Sequence, residues 1–224
     1  MNAVRNSIYL MSLKYIVILL FLLLAAFWML SLIAIPRLQD QIIPLVRGYG
    51  DTHTLWAVAF FVGFSVLSVL FGPFTSVFLV PVAIILWGSI VTFFLLVFGW
   101  FIGSVAAYAI GLSLGYPLVA KIVSREKLDE WIAFMSREAT FFLAFLFRLA
   151  LPAETGYVFG VVKYPFWKYA AIVIIVEVIV AAVVIGAGDA ALENDVVKFI
   201  GLVVGVFALF AIAGYLFKRQ RRAV

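Results

Sequence analysis

The stretch FLFRLALPAETGYVFG, residues 145–160, decides how this chain folds. It sets Arg148, Pro152, Glu154 and Gly156 inside an otherwise apolar run, at a depth where lipid would surround the protein. A charge at the bilayer centre costs about 2.5–3.5 kcal/mol on insertion scales, so such residues are rare and face a partner or a water-filled cavity. Proline and glycine beside them break a helix, and broken backbone is tolerated there only where protein or a polar cavity covers it. A helix that dips in, breaks at a charged turn and returns is the simplest reading. It makes this turn the first candidate site.

Composition agrees with that reading. Of the 224 residues 67% are hydrophobic and 12% charged, and the mean hydropathy is +1.24. A soluble domain of this size cannot bury so much apolar surface, so the class is an all-α polytopic membrane protein. The net charge of +5 does not point to nucleic acid, because the basic residues stand at the ends of apolar runs, where cytoplasmic anchors belong. There is no cysteine, which excludes disulfides and thiolate chemistry. His53 is the single histidine, with no second His or Cys beside it to make a metal site. Nucleophile elbows, phosphate-cradling loops and HExxH patterns are all missing, so neither an enzyme nor a cofactor is expected.

Working outward, the apolar runs divide the chain. Residues 1–54 hold a first span, Tyr15–Ile35, long enough to cross and read as a retained helix rather than a signal peptide, and a polar outside loop. Residues 55–190 form the core. Within it, 55–87 is interrupted at Gly72-Pro73 and its halves are each short of the roughly 20 residues of a span, so it reads as a re-entrant hairpin. A span follows at 89–115, then an amphipathic helix at 117–138 that would lie in the interface, a second hairpin at 139–163 and a span at 166–187. Residues 191–224 carry the last span, Phe199–Phe217, and a basic tail. Six plain crossings, with 55–71 and 73–87 both spanning, would give the same loop placement. With both termini inside, most of the 16 Lys and Arg fall on the cytoplasmic face, and the acidic connection Asp189–Asp195 falls outside. Hairpin, span, amphipathic helix, hairpin, span is an inverted repeat, an architecture that places a transporter's substrate site where the repeats meet.

Gly88, the run GWFIGSVAAYAIGLSLG at 99–115, the charged amphipathic helix, FRLALPAETGYVFG and Tyr164-Pro165-Phe166-Trp167 together resemble the VTT-domain superfamily, also known as DedA or SNARE-associated Golgi proteins. The resemblance covers roughly residues 55–190. It implies paired re-entrant hairpins of opposite orientation and a role in moving lipids: scrambling of phospholipids in eukaryotic relatives, proton-driven carriage of polyprenyl phosphates in bacterial ones. It also implies membrane lipids as partners. The expected location is the plasma membrane of a prokaryote. Carried onto this chain, Arg148 matches the family's arginine in the second hairpin, and Pro152 and Gly156 match its turn. Family members usually bear an acid near the first hairpin's turn. Here that turn is GPFTSVF, residues 72–78, without one, and Glu154 is the carboxylate that could take its place from the other hairpin.

The candidate site follows. Arg148 offers a bidentate donor fork that keeps its charge at any relevant pH, suited to a lipid phosphate. Glu154 would accept a proton or compete for Arg148; the bland alternative is a structural ion pair between the two. Glu177, in the middle of 166–187, is a second proton site or the partner of some other buried polar group. Thr75 and Ser76 either contact a headgroup or cap the helix after Pro73. Gly99, Gly103, Gly111 and Gly115 stand four apart in pairs and read as helix packing. A homo-oligomer is a possible further partner. Tyr108 bonds a neighbouring helix or a substrate. Trp56, Trp87, Trp100, Trp131 and Trp167 read as an interfacial aromatic belt. Phospholipid or lipid-phosphate translocation through a groove between the hairpins is the leading expectation, ahead of small-solute transport and of a membrane-organising scaffold.

Overall fold

The computed structural model describes residues 48, 54–71, 75–122, 125–138, 140–150 and 155–222. The expected first span, His53, residues 72–74 and residues 151–154, with Pro152 and Glu154, lie outside the described residues. Contacts divide the chain into Met1–Leu45 and Val46–Val224, and every described residue belongs to the second unit.

The described residues form helices and no strand: α1 (Thr54–Leu70), a 3-10 turn (Ser76–Leu79), α2 (Val80–Ile122), α3 (Arg125–Glu138), α4 (Phe141–Ala150), α5 (Thr155–Val161), α6 (Phe166–Leu192) and α7 (Val196–Arg222). Among the described residues, three segments are long and apolar enough to cross a bilayer: Ser76–Pro117, Phe166–Leu192 and Val196–Leu216. The molecule is an all-α integral membrane protein. Its apolar residues surround most helices on every side, because lipid replaces water as the outer solvent.

α2 is too long to be one straight rod in a bilayer. It is broken at Gly88 (φ 77°) and Gly115 (φ 61°), a backbone region that suits a residue without Cβ. The stretch between the breaks spans about 39 Å at 1.5 Å per residue, enough for the hydrocarbon core. Gly115 is therefore a backbone break, with nothing nearer to its Cβ position than the Pro117 ring at 3.9 Å, rather than a packing glycine. Gly99 and Gly103 do pack. A methyl at Gly99 would meet Ser65 Cβ at 2.6 Å, and one at Gly103 the Val66 carbonyl at 2.8 Å, so α1 lies close along this face.

α5 crosses α2 more closely still. A methyl at Gly160 would strike the Tyr108 carbonyl and the Leu112 amide, and one at Gly111 the Tyr157 carbonyl. Backbone meets backbone there. α6 packs on α2, and α7 packs on α4 and α6.

Two connections are closed by the same device. Tyr164 N–H donates to the Phe159 carbonyl (3.0 Å) and Asp195 N–H to the Ala190 carbonyl (2.9 Å), with Lys163 (φ 54°) and Asn194 (φ 56°) left-handed between. Both are Schellman ends, which satisfy orphan carbonyls at a helix C-terminus.

Two expectations change. The amphipathic helix begins at Arg125, after α2 has run on to Ile122. Its apolar stripe, Leu128, Trp131 and Met135, is buried in protein, with Trp131 edge-on to Phe147 at 5.8 Å. α4 offers an aromatic surface at Phe147, so the stripe docks there instead of in lipid. The aromatic belt is also thinner: Trp56 and Trp167 are exposed, but Trp100 and Trp131 are buried. Trp100 Nε1 donates to Ser76 Oγ at 2.9 Å, an inward use of the indole N–H.

Candidate functional site

Arg148 sits in the last turn of α4, with its side chain 6% exposed. Its partner is Glu177, from the middle of α6. Arg148 Nη2 donates to Glu177 Oε1 at 2.6 Å, and the Glu177 side chain is 7% exposed. Ser104 of α2 completes a triangle: its hydroxyl accepts from Arg148 Nη2 at 3.3 Å and lies 3.3 Å from Glu177 Oε1, to which it can donate. Three helices thus meet at one charge pair in the apolar interior. Inside such a medium, pairing is what makes either charge tolerable.

The pair is held from one side by Tyr169, on α6. Its hydroxyl donates to the Ser104 carbonyl at 2.8 Å. Tyr169, Val173 and Glu177 follow one another at four-residue intervals on one buried stripe, as helical periodicity requires. Gly156 makes this possible, since a methyl there would lie 2.9 Å from both the Tyr169 hydroxyl and Ala107 Cβ. Tyr108 stacks on Tyr169 (ring centroids 5.0 Å) and donates to the Tyr164 carbonyl at 2.7 Å. Tyr157 donates to the Leu70 carbonyl at 2.9 Å, tying the end of α1 to α5.

The site is not fully satisfied. Arg148 Nε and the Thr155 hydroxyl are buried without a hydrogen-bond partner among the described residues. A buried donor without an acceptor is costly, and a guanidinium is built to present Nε and Nη together to a two-oxygen acceptor. Glu177 takes one of those arms and leaves the other.

A VTT-domain family model matches residues 72–190, more than half of the chain. This chain belongs to the VTT-domain family. The match runs from residue 72 to the last turn of α6, so the Arg148–Ser104–Glu177 triangle lies inside the VTT domain. No curated protein and no solved structure matches the chain.

The other site residues fall as follows. Arg148 and Gly156 stand at the triangle; Pro152 and Glu154 lie outside the described residues. Thr75 and Ser76 serve the fold of this VTT domain: Thr75 Oγ1 accepts from Val77 N–H at 3.4 Å as the cap of the 3-10 turn, and Ser76 Oγ lies 3.3 Å from Ser68 Oγ besides receiving Trp100. Ser104 and Tyr169 were not singled out by sequence. Their one signal is spacing: Ser104 lies four residues before Tyr108, and Tyr169 eight before Glu177, so hydroxyls recur near each helix's functional face.

Proposed function

We propose that this protein carries a phospholipid or lipid phosphate from one leaflet to the other, with Arg148 receiving the phosphate and Glu177 as its exchangeable counter-charge. The observation that supports this most is the buried guanidinium engaged through Nη2 alone, with Nε lacking an acceptor among the described residues. A phosphate offers two oxygens to that edge, whereas the resting carboxylate uses one. A proton reaching Glu177 would neutralise it and free Arg148 for the headgroup. On this reading α6 supplies an acid that the turn GPFTSVF lacks. The membership in the VTT-domain family is consistent with this reading.

The test is leaflet exchange of fluorescent phospholipids and of a polyprenyl phosphate in proteoliposomes, with and without a pH gradient. Wild type, Arg148→Lys and the charge-free double variant Arg148→Met/Glu177→Leu are compared. Exchange in wild type that falls in Arg148→Lys and vanishes in the double variant supports a phosphate path, because Lys keeps the charge but loses the fork. Folded protein that moves neither lipid, or a double variant as fast as wild type, overturns it. A small organic anion in the same vesicles separates lipid from soluble cargo.

A further inference from the structure

At the far end of the α2–α6 contact lies a second polar pair, unconnected with the triangle. Ser89, the first residue after the Gly88 break, donates to Asp189 Oδ1 at 2.5 Å. Asp189 stands about 18 Å along α6 from Glu177 at 1.5 Å per residue. Beside this pair a crevice of about 230 Å³ opens between the helices, lined by Ser89, Ile90, Phe93, Ala182 and Ile185.

Its surroundings identify the medium it opens to. Ile90 is 76% exposed, and Val178 and Ile179 on the adjoining turns of α6 are exposed as well. On membrane-spanning helices, such side chains face acyl chains, so what enters the crevice comes from the bilayer. Four apolar walls suit a hydrocarbon tail. At the polar end the charge is negative: Asp189 bonds only the neutral Ser89 hydroxyl among the described residues, and Glu193 and Asp195 follow within the same connection. Lys198 is drawn to Glu193 at 3.4 Å, not to Asp189. A half-buried carboxylate at the edge of the apolar layer favours a cation that can also donate hydrogen bonds, and it disfavours a headgroup whose only charge is a phosphate.

We propose that this crevice is a standing site for a phospholipid whose headgroup carries a protonated amine, its tail between α2 and α6 and its ammonium on Asp189. The inference does not rest on the Arg148 reading, and the lipid it names is bound, not transported.

The experiment is titration of the full-length protein in detergent with phosphatidylethanolamine, phosphatidylcholine or phosphatidylglycerol of identical chains, read by native mass spectrometry. Free ethanolamine is a fourth arm. Two variants accompany wild type: Asp189→Asn, and Ala182→Phe to fill the crevice from an exposed position. The amine lipid should bind wild type tightest, and Asp189→Asn should weaken it about tenfold, the scale of one charge-assisted hydrogen bond. Ala182→Phe should lower the binding of all three lipids, and free ethanolamine should not compete. Equal binding of the three lipids, an unchanged preference in Asp189→Asn, or undiminished binding in Ala182→Phe overturns the proposal.

Discussion

Arg148 and Glu177 are each intolerable alone at their depth, and this asymmetry gives the sharpest test of what they do. Removing one partner of a buried pair leaves an uncompensated charge and costs about 3–5 kcal/mol, whereas replacing both by apolar residues is often neutral. Arg148→Ala should therefore lower stability by that amount, and Arg148→Met/Glu177→Leu should recover most of it, read by thermal unfolding in detergent. A pair kept only for structure would leave lipid exchange intact in the double variant; a pair kept for use would not. Gly156 makes a second prediction at this scale. Gly156→Ala pushes on the Tyr169 hydroxyl from 2.9 Å, so it should slow exchange while Arg148 and Glu177 are untouched. Tyr169→Phe, which drops the bond to the Ser104 carbonyl, should act in the same direction.

Among the elements, the glycine contacts divide into those that press on backbone and those that do not. Gly160→Ala sets a methyl against the Tyr108 carbonyl and the Leu112 amide, neither of which can rotate away. It should cost about 1–3 kcal/mol, the usual range for overpacking. Gly63→Ala, inside α1 with nothing within 4 Å, should instead stabilise by about 0.5–1 kcal/mol, since alanine loses less freedom on forming a helix. At the Schellman end of α5 the substitution runs the other way. Lys163 holds φ 54°, where an L side chain is strained by about 1–2 kcal/mol. Lys163→Gly should stabilise by about 0.5–1 kcal/mol after the added freedom of the unfolded chain is deducted.

For the molecule as a whole, the question is whether charge movement accompanies cargo. Glu177→Gln keeps a hydrogen-bonding group beside Arg148 but cannot take up a proton. Lipid exchange in that variant should persist and lose its response to a pH gradient, measured in the same vesicles as wild type. Much of the architecture behind this was legible in sequence. Hydropathy showed an all-α membrane protein, and an arginine in FLFRLA called for a partner or a polar cavity. The partner was not legible, because nothing in sequence distinguishes Glu154, six residues away, from Glu177, which approaches through the packing of α4 on α6. Ser104 and Tyr169 were hidden for a related reason: single hydroxyls are ordinary in membrane helices, and only the tertiary meeting of α2, α4 and α6 gives them a task. Gly115 was misread because its spacing matches that of packing glycines, while its φ depends on a turn that spacing does not encode. The stripe of α3 was read correctly as amphipathic, yet amphipathicity does not say whether lipid or protein covers it.

The crossing of α2 and α5 at Gly111 and Gly160 has a mechanical consequence. Where side chains interdigitate, two helices can slide by exchanging rotamers; where peptide groups touch, sliding is blocked and only rotation about the contact remains. That contact is a fulcrum, one turn of α2 beyond Tyr108 and one turn of α5 from Tyr157. Any movement of α5 against α2 must pivot at this point, and a small rocking there becomes a larger displacement at α4, which carries Arg148.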